Sequence, residues 1–194
     1  MRIAVTCALL IALAGAMGVG AGAKPEVLHN VIVEDSRIEF HATSNFGKVV
    51  GVFHSWRAEL KRPGGKFEDT WLKLQIAAES VKTGSGLRDK EVKGKNFFAV
   101  KEFPEIQFVS NKIVAGGDAA KYSMEGELTL RGITKPVTVN VEVEPEEQGR
   151  ERVVGSFTFN RRDFGMTHNP PLNHVSDNIQ VRIELELEER EGAF

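Results

Sequence analysis

The chain has 194 residues, 41% of them hydrophobic, with 25 Lys and Arg against 27 Asp and Glu. That balance lacks the basic excess that nucleic-acid binding needs. Cys7 is the one cysteine, so no disulfide forms within the chain and no multi-cysteine metal site can be built.

Met1-Arg2 starts the chain with a positive charge. Ile3 to Val19 is almost wholly apolar or small, and Ala21-Gly22-Ala23 precedes Lys24. This layout reads as a secretory signal peptide (1–23) cleaved after Ala23, with residues 24–194 as one mature domain. The competing reading is an uncleaved anchor, but the apolar run is near the lower length limit for a span. Cleavage removes Cys7 and Arg2 and leaves 171 residues of net charge −3, expected in the periplasm or secreted. A domain of that size can be held by its core alone. No later apolar run is long enough to cross a membrane as a helix.

Beyond this segment, period-two alternation dominates. "SRIEFHATS" puts Ile38, Phe40 and Ala42 on one face, and "VVGVFHSWRAELK" puts Val50, Val52, His54, Trp56, Ala58 and Leu60 on one face. "WLKLQIAAESV" aligns Leu72, Leu74, Ile76 and Ala78. The alternation then breaks at "GLRDKEVKGKNFFAVKEFPEIQF", residues 86–108, charged at first and then carrying Phe97, Phe98, Phe103 and Phe108. Leu87, Val92 and Phe97 recur at roughly helical spacing, while Gly94 and Pro104 oppose one long helix, so two short helical turns are expected. Five strands follow. They align Ile106 with Phe108; Tyr122, Met124, Leu128 and Leu130; Val137 to Val143; Val153, Phe157 and Phe159; and Ile179 to Leu187. "RGITKP" joins two of them as a hairpin.

At least eight strands with one apolar and one polar face describe an antiparallel sheet. A sandwich and a closed barrel are both open on this pattern; an eight-stranded barrel can hold one elongated small ligand. The irregular stretch is expected to cap one end, its aromatics inward and its charges toward water.

"LRDKEVKGKNFFAVKEFPEIQF", "GELTLRGITKPVTVNVE", "FNRRDFGMTHNPPL" and "DNIQVRIELELE", in this order, resemble the YceI-like proteins over nearly all of the mature chain. The resemblance implies an all-β, lipocalin-like antiparallel eight-stranded β-barrel with a short helical insert. It implies export and an apolar tunnel for an isoprenoid or other long-chain lipid. Polyisoprenoid, quinone and fatty-amide ligands occur in the family. A homodimer is also implied. Apart from the resemblance, transient contact with the membrane or a quinone-linked membrane protein is a candidate partnership, through the basic residues of the irregular stretch. The sequence departs from the family at "THNPPL", where Trp-Asn often stands before Pro-Leu, and at "VFHSWRAEL", where Trp56 interrupts a phenylalanine-rich strand.

The candidate tunnel lining is Ile38, Phe40, Val52, Trp56, Leu74, Phe97, Phe98, Phe103, Phe108, Met124, Phe157, Phe159 and Ile179. The same residues could equally fill a solid core. His54, if inward, meets either a head group or a core neighbour; a bulge would exchange it with the apolar Phe53. Arg88 is the candidate for a head group, beside Lys90, Lys93 and Lys95; a solvated helix face is the plainer reading. His168 stands in the divergent loop at the expected mouth. Arg161, Arg162 and Asp163 read as a structural corner, with Gly165 supplying a backbone shape other residues resist. The histidine spacing fits no metal motif, and there is no nucleophile elbow, phosphate loop or dinucleotide fingerprint. The leading expectation is therefore a lipid-binding carrier with no catalytic residues, no metal and no cofactor beyond the lipid. The alternatives are an enzyme or redox accessory acting on such a lipid, and an envelope protein with a filled core.

Overall fold

The computed structural model describes residues 28–169 and 171–190; the signal-peptide reading and Cys7 lie outside them. In chain order the elements are β1 (Leu28–Ser44), β2 (Gly47–Phe53), β3 (Trp56–Lys61), β4 (Trp71–Ala77), β5 (Val81–Lys82), α1 (Gly86–Lys93), β6 (Glu105–Ala115), β7 (Lys121–Leu130), β8 (Ile133–Pro145), β9 (Arg150–Asn160) and β10 (Asn178–Arg190). All strand pairs are antiparallel, in the order β3-β4-β6-β7-β8-β9-β10-β1-β2-β5.

The ten strands are eight continuous runs. Only His54 and Ser55 separate β2 from β3, and only Ala78–Ser80 separate β4 from β5. The β2–β3 run pairs with β1 through its first half and with β4 through its second. Because one run belongs to both ends of the sheet, the sheet closes into a barrel, which leaves few edge groups unpaired. The β7–β8 hairpin forms as expected. Leu130 pairs with Ile133 across Arg131-Gly132, both at positive φ, which is the backbone twist a two-residue hairpin needs.

The break at His54–Ser55 corrects one expected face. Val49, Gly51 and Phe53 turn inward, with Gly51 and Phe53 buried, while Val50 is exposed and Val52 lies on the outer side. After the break Trp56, Ala58 and Leu60 are the half-buried positions of β3. The Ser55 carbonyl accepts from Ala77 N–H at 2.9 Å and His54 N–H donates to Ser80 O at 3.4 Å. The two residues between the strands form a bulge that shifts the alternation by one, so Val52 and His54 lie on the face opposite to that of Trp56, and His54 is exposed.

Strand direction gives the barrel two distinct ends. The β1–β2 turn, the stretch from Thr83 to Pro104, the β7–β8 turn and the β9–β10 connection lie at one end, called the mouth. The β3–β4, β6–β7 and β8–β9 connections lie at the far end. The far half is filled: Leu72, Ile113, Met124, Val139, Val141, Val153, Leu185 and Leu187 are all buried. Phe67 closes it from the β3–β4 connection, its ring 4.4 Å from that of Tyr122. The Arg62 guanidinium lies over the Phe67 ring at 5.1 Å and ion-pairs with Glu151 at 2.8 Å.

Candidate functional site

The mouth half is hollow. A cavity with room for the centres of water molecules over about 150 Å³ lies between the strands, lined almost wholly by apolar side chains. Along β1 its lining runs from Ile38 to Ser44, roughly 20 Å at the usual rise of a strand. Two glycines help keep the bore open. A Cβ on Gly51 would sit 2.2 Å from the Phe40 ring, and one on Gly126 would sit 2.5 Å from the Phe108 ring. Each phenylalanine therefore lies over a glycine on the neighbouring strand.

Of the expected lining, Ile38, Phe40, Leu74, Phe97, Phe98, Phe108, Phe157, Phe159 and Ile179 surround this cavity, and Arg88 stands at its lip. Val52 and His54 do not, because of the phase shift. Trp56 packs against the core, and Met124 belongs to the filled half; neither lines the cavity. Phe103 is outside it as well, half-buried beside Gly132 with the Arg131 guanidinium 5.8 Å from its ring. His168 stands behind the lip, its ring edge-on to Phe97 with centroids 6.3 Å apart. Residues not anticipated include Phe53, hidden by the phase shift, and Val181 and Ile183, present in the alternation of β10 but not selected. Asn173 and the wall position of Arg161 carry no periodic signal.

The stretch after β5 forms one helix and then a series of tight turns, rather than two helical turns. Asp89 fixes its start: the buried carboxylate accepts from Thr83 N–H and from the Thr83 hydroxyl, both at 2.7 Å. These two bonds hold its pKa below the usual carboxylate range. Arg131 fixes its end by donating to the carbonyls of Lys95 (2.9 Å) and Phe97. Between them Phe98 N–H bonds to Val92 O at 2.9 Å, and Ala99 takes a positive φ. The turn drops Phe98 into the barrel, 5.7 Å from the rings of both Phe40 and Phe53. Leu87, on the same helix, points to solvent.

The opposite side of the lip is organised by Arg161, which is 1% exposed. Its guanidinium donates to the carbonyls of Ser176 (3.1 Å), His168 (3.0 Å), Val175 (3.1 Å) and Met166, and to Asn169 Oδ1 (2.8 Å). Asp177 lies 3.0 Å from Arg161 and 2.8 Å from Arg162. Burial pushes the Arg161 pKa down and Asp177 opposes that shift. The hydrogen bond from Arg162, helped by both positive charges, holds Asp177 below its ordinary value. This is the structural corner read from Arg161 to Gly165; Gly165 sits at φ 73°.

Polar groups gather at the lip. Arg88 is half-buried there and has no hydrogen-bond or ion-pair partner among the described residues. The Asn173 side-chain oxygen is enclosed and has no hydrogen-bond partner among the described residues, a cost that a bound polar group would relieve. Ser44 and Glu91 complete the rim. No cluster of three metal-ligating side chains occurs among the described residues. The arrangement can hold a long apolar chain inside and one polar head at the opening.

Comparison with known proteins agrees with this architecture. A family model for the YceI-like domain matches residues 30–187. A UPF0312 protein of Shewanella denitrificans is 29% identical over 143 residues, covering 71% of this chain and 73% of the relative. Among solved structures, Burkholderia cenocepacia BcnA superimposes with a TM-score of 0.72 at 25% identity, over 81% of this chain and 99% of its own. A polyisoprenoid binding domain from Saccharophagus degradans shares the fold, with a TM-score of 0.68 at 14% identity over 85% of this chain and all of its own.

Proposed function

The chain belongs to the YceI-like family, and on that premise we propose that it is a carrier for one long-chain lipid of the isoprenoid type, working in the periplasm and performing no chemistry on its cargo. The observation that carries this reading is the phenylalanine-lined cavity, blind at the filled far half and polar only at its lip. Apolar burial contributes about 25 cal/mol per Å², so a prenyl chain can be retained without charged contacts along its length. Arg88 and Asn173 then supply the bonds for its head group. The polyisoprenoid binding domain from Saccharophagus degradans has the same fold, which supports the ligand class through architecture rather than through shared residues.

Native mass spectrometry of protein purified without detergent, followed by organic extraction, tests the proposal. The expected result is a discrete added mass that extracts as a prenyl lipid or quinone. The double variant Phe97→Ala/Phe98→Ala is expected to fold and to lose most of that mass. A bare protein mass, with no uptake of prenyl lipid supplied in vitro, would overturn the carrier reading in favour of a structural barrel.

A further inference from the structure

The three most exposed large apolar side chains among the described residues are Leu87 (84%), Leu172 (81%) and Phe46 (77%). All three stand at the mouth end, on three separate connections. Each is close in sequence to a residue of the cavity lip: Phe46 to Ser44, Leu87 to Arg88 and Leu172 to Asn173. The connections are tied together around one opening. Ser44 bridges to Val175, Asn45 N–H donates to His174 O at 3.2 Å, and Phe97 touches His168. Isolated exposed apolar residues are ordinary; three converging on the rim of an apolar cavity mark an interaction surface.

Charge is distributed in the same sense. The mouth-end connections (45–46, 83–104, 131–132 and 161–177) hold eight Arg or Lys against five Asp or Glu, while the far-end connections (62–70, 116–120 and 146–149) hold two against five. Some of these charges are engaged internally on both sides: Asp89 with Thr83 and Lys82, Asp177 with Arg161 and Arg162, and Lys93 with Glu79. Lys90 and Lys95 are exposed beside the lip, as is Lys48 at an adjoining strand end, while Lys82 is exposed and pairs with Asp89 at 3.7 Å.

We propose that the mouth end docks on the surface of an anionic phospholipid bilayer. Phe46, Leu87 and Leu172 enter the headgroup boundary while the lysines meet lipid phosphates, the usual combination for reversible interfacial binding. A second copy of the chain fits this face less well, since a two-fold contact would set one positive rim against another. Docking places the cavity opening against the bilayer, so cargo passes between them without crossing water; that last step rests on the carrier reading, whereas docking does not.

The test is sedimentation of the purified protein with vesicles of phosphatidylglycerol and phosphatidylethanolamine, and with phosphatidylcholine vesicles, none containing prenyl lipid. Binding to the anionic vesicles is expected, weakened by salt. Partitioning is expected to fall at least about tenfold in Phe46→Ser/Leu87→Ser/Leu172→Ser and measurably in Lys90→Glu/Lys95→Glu. These side chains are exposed, so both variants should melt like the parent. Equal binding to both vesicle types, or unchanged binding in both variants, would overturn the proposal. So would a solution dimer that the triple serine variant dissociates, which would assign the patch to a second copy. Uptake of prenyl lipid from micelles by the parent protein is measured in parallel: uptake without binding to anionic vesicles sinks docking alone, and docking without uptake sinks the carrier reading alone.

Discussion

On β10, Leu185 and Leu187 are 2% and 0% exposed and pack into a filled interior. Val181 and Ile183, on the same face of the same strand, border open space. The difference lies in what faces them. At the far end, Met124, Val139, Val141 and Val153 share the buried core with the Phe67 plug. At the mouth end, Phe40 and Phe108 lie over Gly51 and Gly126, and the backbone bonds that order the rim come from polar side chains. One barrel therefore uses apolar packing to close one end and polar scaffolding to hold the other open.

The largest expected effect breaks the polar scaffold. Arg161→Ala removes the donor that serves four carbonyls and leaves Asp177 without one of its two cations. Removing one partner from a buried charged network costs about 3–5 kcal/mol, to be read from urea unfolding. A cost below about 1 kcal/mol would mean that something other than this corner orders the mouth.

A paired substitution sharpens the contrast on one strand. Leu187→Ala opens a void in the filled half and is expected to cost about 3 kcal/mol, without changing lipid retention. Val181→Ala enlarges space that already exists and is expected to cost about 1 kcal/mol, while altering lipid retention. Equal stability costs, or retention that follows Leu187, would remove the distinction between filled and hollow halves.

Much of this was legible in the sequence, and what was not has a physical reason. Period-two alternation marked all eight strand runs, because each has one face against the interior and one against water. It failed inside β2–β3, where the phase depends on Ser55 bonding to Ala77, more than twenty residues away; local pattern cannot report a distant partner, so Val52 and His54 were expected inside and Phe53 was not. The stretch from Leu87 to Phe103 was recognisable as an irregular cap, yet its inward residues were only partly separable. Phe98 enters the barrel because Ala99 adopts a left-handed turn, while Phe103 is drawn to the β7–β8 hairpin by Arg131. Arg161 was readable as a corner from its place in "RRDFG", but its part in the cavity wall and the open acceptor of Asn173 depend on tertiary placement.

The smallest expected effect is a local response to acid, opposite in sign at the two ends. Asp89 and Asp177 at the mouth have folded pKa values below their unfolded ones. Their stabilisation is present above the unfolded aspartate pKa, about 3.9, and is lost as pH falls through the folded value. Glu186 points the other way. It is buried near the far end, 3.5 Å from Arg152, and burial raises its pKa, with Glu146 adding to the shift. The folded state is therefore favoured most when Glu186 is protonated, and that advantage disappears as pH rises through its folded pKa. Acidification from neutral should first relieve the far end and only below the ordinary carboxylate range loosen the mouth. Hydrogen-exchange protection, corrected for intrinsic rates, should show amides beside Glu186 gaining protection as pH falls toward the ordinary carboxylate range, whereas amides near Thr83–Asp89 and Arg161–Asp177 lose it only below that range, where Glu184, held low by its bonds from Arg152 and Arg182, is also titrated. Uniform loss along the barrel would mean that the two ends unfold as one unit and that the polar rim has no separate stability.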